Sequence, residues 1–259
     1  MSYCPLSREK ILAYTNSHFS LEVVSQVTST NDWMKEKAAL GEPGGLVLLA
    51  GSQTAGRGRM GRPFYSPEGT GLYLSLLIRT DQLPRDALGV TTASAVATSR
   101  AIARFTKEPV NIKWVNDIYV RDRKVCGILT ESGSQNGKTF DYIVVGIGVN
   151  VFPPAGGFPP ELSVAGAVFE PDDDPDLRNR LAAAMLDELE TALTLLRPKE
   201  ILEEYRRRSW LDHKTVTVHQ GTQSYPATVE GIGDSFCLIV RTLNGERKEL
   251  KSGEVSLSK

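Results

Sequence analysis

GLVLLAGSQTAGRGRMGRPFYSPEGTGLYLSLLI, residues 45–78, holds two apolar runs with a loop rich in glycine and arginine between them. The run at 45–50 is short and continuously apolar, and the run at 72–78 is apolar except for Ser75, which is typical of buried β-strands. In the loop, residues 56–62 combine three glycines with three arginines. Glycine lets backbone N–H groups approach a ligand closely, and arginine donates a fork of hydrogen bonds to phosphate or carboxylate. The stretch therefore predicts a strand–loop–strand unit whose loop binds an anion.

The loop matches the dinucleotide-binding spacing Gly56-x-Gly58-x-x-Gly61, but its surroundings exclude that fold. A dinucleotide loop opens into a helix, whereas Pro63 and Pro67 block a helix here and a strand follows. A phosphate-binding P-loop is also excluded, because no Gly-Lys-Ser or Gly-Lys-Thr sequence closes the loop. The remaining alternative is a mobile surface loop with solvated arginines. We favour a functional loop, because long loops between buried strands are more often functional than idle.

The 259 residues carry a formal net charge of −1, with 41% hydrophobic and 24% charged residues. This composition is typical of a globular protein with one large domain, or with one large and one small domain. The balanced charge provides no overall field that would recruit nucleic acid. No apolar run approaches the ~20 residues of a membrane span, and none forms an N-terminal signal segment. Cys4, Cys126 and Cys237 lack metal or disulfide spacing, which indicates reduced thiols in a cytoplasmic protein.

A short helix and a strand are predicted ahead of the loop. Residues 7–16 predict a helix with Ser7 as its N-cap, and residues 21–27 predict a strand. The segment Ser-Thr-Asn-Asp at 29–32 precedes a predicted helix at 33–40. These residue types cap helices, and by pattern alone we favour a cap over a pocket at the strand-to-helix junction. The other predicted helices lie at 84–105, 175–196 and 199–210.

Two β-rich runs, at 110–120 and 125–131, flank a charged turn and predict a hairpin. Polar residues interrupt runs that would otherwise be core: Lys113, Asn116, Asp117 and Lys124. They either face solvent or point into a site, and the Asn-Asp pair can form a bulge that directs side chains there. Lys113 adjoins Trp114 in a segment of buried character, where a lysine needs an anionic partner.

A further strand is predicted at 141–150, with Gly146 and Gly148 in its interior. Interior strand glycines indicate that another backbone or a ligand approaches closely. The proline- and glycine-rich loop at 153–160 is either a lid or a plain connector.

The pattern changes after Trp210, where short β-type runs alternate with glycine-containing turns. This pattern predicts a small all-β barrel. We therefore divide the chain into a large α/β domain at 1–211 and a small β-domain at 212–259.

The candidate residues favour chemistry that depends on charge. The loop arginines and hairpin lysines are cations, whereas the sequence has no serine nucleophile elbow, paired histidines or metal-ligand cluster. His18, His213 and His219 lie outside these segments. Cations with little acid–base machinery suit nucleotidyl or acyl-adenylate chemistry, in which positioning and charge neutralisation carry most of the catalysis.

Several segments, in this order, resemble motifs of the biotin protein ligase family. They are residues 56–62 with 66–67 and 72–75, residues 113–117, residues 123–129, residues 145–150 and residues 252–257. The resemblance extends from about residue 21 to the C-terminus. It implies an α+β fold, in which a mixed-sheet catalytic domain of the class II synthetase type precedes a small SH3-like β-barrel.

The resemblance also implies a two-step reaction of biotin and ATP, with Mg²⁺ bound with the nucleotide. Biotin is activated to biotinyl-5′-AMP and is then transferred to a lysine of the biotin carboxyl carrier domain of acetyl-CoA carboxylase or a related carboxylase. The family often pairs through sheet edges, so a homodimer through residues 141–149 is an alternative to a monomer.

For biotin, the resemblance assigns Ser29, Thr30 and Gln53 to the ureido ring, with Asn31 beside them. This assignment reverses the preference for a cap alone at 29–32. The resemblance also places three glycines at ligand-binding positions: Gly56, Gly58 and Gly127.

For the reacting groups, the resemblance assigns Arg57 and Arg59 to the carboxylate and phosphates, and Arg62 to the pyrophosphate. Lys124 neutralises the biotin carboxylate and the α-phosphate in both steps. Arg59 and Lys124 are therefore expected to be catalytic.

The other catalytic residues implied are Lys113, which supports the nucleotide with Asn116, and Asp117, which orients the incoming lysine or helps to remove its proton. Asn150 is expected near the adenine. Some relatives place a tryptophan against the adenine at a position where this chain has Phe64, and Phe64 is the expected substitute by stacking.

Many bacterial members carry an N-terminal winged helix that represses transcription. About 20 residues precede the first predicted strand here, too few for a helix-turn-helix unit, so we expect a short monofunctional form that binds no DNA. The nearest alternative is a lipoate ligase of related fold, against which the arginine loop argues. A non-catalytic RNA- or nucleotide-binding module is a third hypothesis, disfavoured by the net charge of −1 and by the lack of interleaved aromatics.

Overall fold

A seven-stranded mixed sheet forms the centre of the molecule, in the order β1-β2-β3-β7-β6-β5-β4. The computed structural model describes residues 4–79, 87–134, 141–170, 174, 176–195, 197–221 and 223–257. β1 and β2 are parallel, and the other neighbours are antiparallel. The strands are β1 (Ser20–Val24), β2 (Leu46–Ala50), β3 (Gly71–Arg79), β4 (Val110–Lys113), β5 (Asp117–Val120), β6 (Arg123–Gly133) and β7 (Tyr142–Asn150).

Helices cover both faces of this sheet, which explains why β2, β3 and β7 are buried along almost their whole length. The helices are α1 (Arg8–Tyr14), α2 (Thr30–Ala39), α3 (Ala87–Ala103), α4 (Leu177–Glu190) and α5 (Pro198–Arg207). α2 packs on one face against Leu46 and Leu48, whereas α3 and α4 share the larger core that includes Val47 and Leu49. Alternate side chains of β2 thus enter opposite cores, as the strand period requires.

The helix predictions are confirmed, with shifted ends. Ser7 caps α1 and accepts a hydrogen bond from the Lys10 backbone N–H at 3.3 Å. The helix predicted at 84–105 is observed as α3, although its first three residues lie outside the described part of the chain. α4 ends at Glu190 and continues as a single π-helical turn, Thr191–Leu195.

The prediction of one strand at 110–120 is wrong, because the chain reverses at 114–116 and makes two strands. Asn116 stabilises this reversal, since its side chain donates to the Ile128 carbonyl oxygen and its carbonyl oxygen accepts from the Ile128 N–H. A bulge between Ile118 and Tyr119 follows, close to the expected position. The reversal places Lys113 directly opposite Asp117.

The expectation that residues 141–149 provide a sheet edge is also wrong. β7 lies between β3 and β6, so both of its edges are already hydrogen-bonded. β4 is an outer strand, and its Ile112 pairs with the segment after α5. The Ile112 N–H donates to the Arg208 carbonyl oxygen at 2.7 Å, and the Ile112 carbonyl oxygen accepts from the Trp210 N–H at 2.9 Å. β1 is the outer strand at the other side.

A second, five-stranded antiparallel sheet follows α5, in the order β11-β10-β9-β8-β12. Its strands are β8 (Thr215–Gln220), β9 (Gln223–Ile232), β10 (Leu238–Thr242), β11 (Arg247–Leu250) and β12 (Glu254–Leu257). The Trp114 indole N–H donates to the Phe236 carbonyl oxygen at 2.9 Å and joins the two sheets. An α+β architecture with a C-terminal β-unit is therefore confirmed. None of the described helices combines the length and apolar character that crossing a bilayer requires.

Candidate functional site

A cavity of about 460 Å³ opens where the N-terminus of α2, the arginine loop, the β4–β5 reversal and β12 meet over β6 and β7. Almost all of the predicted site residues line it. They are Ser29, Thr30, Asn31, Gln53, Arg57, Gly58, Arg59, Arg62, Phe64, Lys113, Asn116, Asp117, Lys124, Gly127 and Asn150. Residues distant in the sequence are therefore brought together in one site.

Gly56 is the exception, because it does not line the cavity. A Cβ atom at this position would lie 2.5 Å from the Phe64 carbonyl oxygen and 2.6 Å from the Ser66 hydroxyl. The two arms of the loop approach each other there, and the Phe64 N–H donates to the Gly56 carbonyl at 2.8 Å. The structure thus explains Gly56 by packing within the loop rather than by a place in the cavity wall.

Ser29, Thr30 and Gln53 form a connected polar group beside α2. Ser29 is the N-cap and its hydroxyl accepts from the Asp32 N–H at 3.4 Å. Both the N–H and the hydroxyl of Thr30 donate to the Gln53 side-chain oxygen, at 2.9 and 3.1 Å, and the Gln53 amide donates to Ser66 at 2.9 Å. The two interpretations of residues 29–32 are therefore compatible, since the capping segment also lines the cavity.

Asn31 is held by other side chains rather than left free. Its Oδ1 accepts from the Ser75 hydroxyl at 2.6 Å, and its Nδ2 donates to Glu131 at 2.8 Å. A Cβ atom on Gly146 would overlap Asn31, so this strand glycine makes room for the Asn31 side chain. The sequence had predicted that a backbone or a ligand approaches this glycine. Asn31 thereby fixes α2 against β3, β6 and β7.

Arg57 lies in a cluster of charges at the same end of the cavity. Its guanidinium contacts Asp32 at 2.5 Å and Glu131 at 3.3 Å, and Lys35 contacts the same two carboxylates at 2.7 and 3.1 Å. Partial burial raises the pKa of Asp32, but hydrogen bonds from Lys35 and Arg57 outweigh burial and leave it below its ordinary value. Sequence reasoning missed Glu131, although an acid at the end of an apolar strand is a detectable signal.

Arg59 and Arg62 contact the second sheet. Arg59 donates to the Asn116 side-chain oxygen at 2.9 Å and to the Gly253 carbonyl at 3.4 Å. Arg62 makes a bidentate pair with Glu254, at 2.6 and 2.7 Å. The C-terminal unit therefore completes the cavity wall. The sequence prediction had assigned residues 252–257 only to the β-barrel and missed the contribution of Glu254.

Lys124 and Asp117 form a salt bridge of 2.8 Å inside the cavity. The backbone of Lys124 is also fixed, because its N–H donates to the Val164 carbonyl oxygen at 2.8 Å and its carbonyl oxygen accepts from the Gly166 N–H at 2.9 Å. Residues 158–166, which begin in the loop at 153–160 that the sequence left as lid or connector and continue beyond it, thus form a wall of the site. Sequence reasoning missed its lining residues, and nothing in their pattern marked them: Phe158, Glu161, Leu162, Val164 and Ala165.

Lys113 makes no salt bridge to any residue in the described part of the chain. Its amino group lies 5.9 Å from the centre of the Tyr119 ring, and the carboxylate opposite it in register, Asp117, contacts Lys124 instead. Burial lowers the pKa of Lys113, and the charge of Asp117 opposes that effect. The expected protein anion is therefore not in contact with Lys113, which leaves its charge available to a bound anion.

The floor of the cavity includes a pair of glycines, because Gly127 and Gly148 lie directly opposite each other on β6 and β7. The Phe64 ring packs on them: a Cβ atom on Gly148 would overlap the ring, and one on Gly127 would lie 3.2 Å from it. Tyr73 supports Phe64 edge-on at 6.5 Å between ring centres. Asn150 donates to the Gly166 carbonyl at 3.0 Å and ties β7 to the same wall as Lys124.

The arrangement combines hydroxyl and amide groups, an apolar floor, and cations from two segments. Such a site suits an extended ligand with a polar head, an apolar portion and an anionic end. A second anion, such as a polyphosphate, can share the same cations, since each of Arg57, Arg59 and Arg62 has a partner that a ligand oxygen can replace.

Comparison with known proteins agrees with this chemistry. The sequence model described as the Biotin/lipoate A/B protein ligase family matches residues 23–150. The chain is 32% identical to the bifunctional ligase/repressor BirA of Escherichia coli over 92% of this chain and 74% of that protein. It is 31% identical to the biotin–[acetyl-CoA-carboxylase] ligase of Mycobacterium tuberculosis, over 96% of this chain and 92% of that protein. The solved biotin protein ligase from Aquifex aeolicus in complex with biotin and ATP superposes with a TM-score of 0.75 at 27% identity, covering 93% of this chain and 99% of that chain.

Proposed function

The chain belongs to the biotin/lipoate A/B protein ligase family, and we propose that it is an ATP-dependent biotin protein ligase. One observation carries the proposal: a single cavity joins the polar groups of Thr30 and Gln53 to the cations Arg59 and Lys124. Biotin has the matching parts, namely a hydrogen-bonding ureido ring, an apolar chain and a carboxylate. The ring is assigned to Ser29, Thr30 and Gln53, and the carboxylate to Lys124.

In the first step, a carboxylate oxygen of biotin attacks the α-phosphorus of ATP, and the bond from that phosphorus to the pyrophosphate oxygen breaks. The products are biotinyl-5′-AMP and pyrophosphate. Two anions must meet, so cations that face both of them lower the barrier. We assign this role to Arg57, Arg59 and Lys124, and we assign the pyrophosphate end to Arg62.

In the second step, the amino group of an acceptor lysine attacks the acyl carbon, and the bond from that carbon to the AMP oxygen breaks. The attacking amine must lose a proton. Asp117 is the cavity carboxylate that contacts Lys124, at 2.8 Å, which supports its role in orienting the amine and accepting that proton. Lys124 then faces the departing AMP phosphate.

The nucleotide is assigned to Lys113 and Asn116, and its adenine to Asn150 and Phe64, all of which share the cavity. A half-buried lysine without a salt bridge to a described residue favours an anionic ligand, since pairing restores the charge that burial disfavours. The aromatic face of Phe64 offers a stacking surface for a base.

Magnesium is assigned to the nucleotide. Within the described ranges, no group of three or more His, Cys, Asp or Glu side chains is arranged to hold a metal ion. Mg²⁺ at nucleotide sites is bound mainly by phosphates and water with one or two carboxylates. The described residues therefore suit a Mg²⁺ ion that would be held mainly by the phosphates, where it would neutralise part of their charge.

The acceptor is assigned to the biotin carboxyl carrier domain of acetyl-CoA carboxylase or a related carboxylase, and the name of the similar Mycobacterium tuberculosis protein includes acetyl-CoA carboxylase. A cytoplasmic location is supported by Cys4, Cys126 and Cys237, which are all free thiols. A homodimer through the sheet would have to use β1, since β7 is internal.

The experiment that tests the function is transfer of labelled biotin to a purified carrier domain in the presence of ATP and Mg²⁺. We expect AMP and pyrophosphate in equal amounts, and label on a single lysine. Thermal unfolding with biotin or lipoate separates the two ligases, because a ligand that binds the native state raises the melting temperature. Stabilisation by lipoate alone, or transfer without ATP, would refute the proposal.

A further inference from the structure

Exposed apolar side chains gather at the cavity. Eight large hydrophobic side chains are exposed in the part of the chain that the structure describes, and three of them line this cavity. They are Met60, Tyr65 and Val164, which are 77%, 40% and 55% exposed. Single exposed apolar residues are ordinary on a protein surface, but three that adjoin one cavity indicate a contact surface.

Each of these side chains comes from a different part of the wall. Met60 lies at the tip of the arginine loop, with a left-handed φ of 55° that methionine rarely adopts. Neither backbone preference nor burial therefore explains methionine there. Tyr65 lies on the returning arm of the loop, and Val164 holds the Lys124 backbone through its carbonyl group. The patch thus adjoins the catalytic lysine.

One carboxylate accompanies the patch. Glu161 is exposed, lines the same cavity, and makes no salt bridge to a described residue. The other two cavity carboxylates contact cations, Asp117 with Lys124 and Glu254 with Arg62. Glu161 is therefore a charge available to a cationic partner.

We propose that Met60, Tyr65, Val164 and Glu161 form a docking rim for the folded, lysine-bearing acceptor domain. This proposal rests on the proposed function. A folded domain cannot enter a cavity of about 460 Å³, so only its lysine reaches Asp117 and Lys124 while the surrounding surface stays at the mouth. Methionine and tyrosine are enriched at protein interfaces, and an acid at the mouth suits the approach of a lysine.

The two half-reactions make this proposal testable. Biotin-dependent exchange between ATP and pyrophosphate needs no acceptor, whereas transfer to a purified biotin carboxyl carrier domain does. We expect Met60→Ser with Val164→Ser to raise the KM for the carrier domain about tenfold, as loss of an interface anchor does, and to change the exchange rate far less, since the Val164 carbonyl group that holds Lys124 is kept. Release of biotin from the adenylate to hydroxylamine, a small nucleophile that needs no docking, is expected to change as little as the exchange rate does.

Matched variants separate docking from folding. Leu40→Ser and Leu243→Ser remove equally exposed apolar side chains, 83% and 81% exposed, that do not line the cavity, and we expect both to leave the KM for the carrier domain unaltered. Met60→Leu keeps an apolar tip and is expected to retain docking. Glu161→Gln should raise the same KM at low ionic strength and much less at high ionic strength.

Each unfavourable outcome has a distinct meaning. An unchanged KM in the double serine variant, or an exchange rate that falls in parallel with transfer, overturns the rim. A change in the mass of the protein in sedimentation, with the KM unchanged, assigns the patch to a second copy of the chain and also overturns it. Absence of biotin-dependent exchange in the unaltered protein rejects the proposed function itself.

Discussion

At the scale of single residues, Lys124 is held through both its side chain and its backbone. Its amino group contacts Asp117, and both polar groups of its backbone are hydrogen-bonded to residues 164–166. A side chain anchored in this way needs little reorganisation when a carboxylate and a phosphate bind, and preorganised charge is the most effective form of electrostatic catalysis.

We expect Lys124→Ala to lower the rate of biotin-dependent pyrophosphate release by about 100-fold or more, because one preorganised charge is lost from the reacting centre. Steady-state pyrophosphate release measures this effect. Lys107→Ala, at an exposed position in the segment that follows α3, is the matched control and should retain the normal rate. Normal release by Lys124→Ala would remove this lysine from the mechanism.

The glycine floor is a second residue-scale feature. Gly148→Ala places a methyl group into the Phe64 ring, and we expect a loss of about 1–3 kcal/mol in the free energy of unfolding, as for other overpacked sites. Urea titration measures this loss. In a chain that already carries Phe64→Ala, the Gly148→Ala substitution should cost much less, since the overlapping ring is absent.

Gly89→Ala is the control for this experiment, because the added methyl group meets no atom within 4 Å and the residue lies in α3. Alanine is the better helix former, so stability should rise by up to about 1 kcal/mol. A Gly148→Ala protein as stable as the parent would contradict the close packing of Phe64 on β7.

At the scale of elements, α3 and α5 are joined by one carboxylate. Glu204 is 9% exposed and accepts hydrogen bonds from Arg100 on α3 and from Arg208 at the end of α5. Burial raises the pKa of Glu204, but these hydrogen bonds outweigh burial and the pKa lies below its ordinary value of 4.5. The charged form therefore stabilises the native state.

A lowered native pKa contributes stability above the unfolded value, and this stability is lost as the pH falls through the native value. We expect Glu204→Gln to reduce the free energy of unfolding by about 2 kcal/mol at pH 7, less than for a fully buried pair. Below about pH 4.5 the difference from the parent should shrink. Urea titrations at pH 7 and at acid pH test this prediction. Glu203→Gln on the same helix, at an exposed position, should change little.

At the scale of the whole molecule, the active site depends on both sheets. The Arg62–Glu254 pair joins the arginine loop to β12, and Arg59 contacts Gly253. The domain boundary that we propose, 1–211 and 212–259, lies between the two sheets, and the site takes residues from both sides of it. Closure of the loop and docking of the second sheet are expected to depend on each other.

We expect Glu254→Ala to loosen this closure and to raise the KM for ATP by at most about fivefold, because a partly exposed ion pair stabilises by about 1 kcal/mol or less. Pyrophosphate exchange at varied ATP concentrations measures it. Glu230→Ala is matched, since it removes a carboxylate of the same sheet that contacts Arg241 and Arg247 and does not line the cavity. Equal effects of the two substitutions would indicate loss of sheet stability instead of loop closure.

Local physical rules explain which features the sequence predicts. Continuous apolar runs, capping residues and proline breaks depend on neighbours in the chain, so β2, β3, β7 and the helices were predicted close to their observed bounds. The reversal at 114–116 was not, because it depends on hydrogen bonds between Asn116 and Ile128 on another strand. The expectation that residues 141–149 form a sheet edge failed for the same reason, because the order of strands in a sheet depends on pairing between segments far apart in the sequence.

The sequence by itself determined the strand–loop–strand unit, the C-terminal β-unit and the cationic residues of the site, because residue type and spacing specify them. Only the tertiary structure decided which residues those cations contact. It placed Glu131 against Arg57 and Glu254 against Arg62, and it left Lys113 without a salt bridge in the described part of the chain. It also packed Asn31 against Gly146 and Phe64 against Gly148. These contacts join residues far apart in sequence, and their energies depend on distance and burial, which no local pattern encodes.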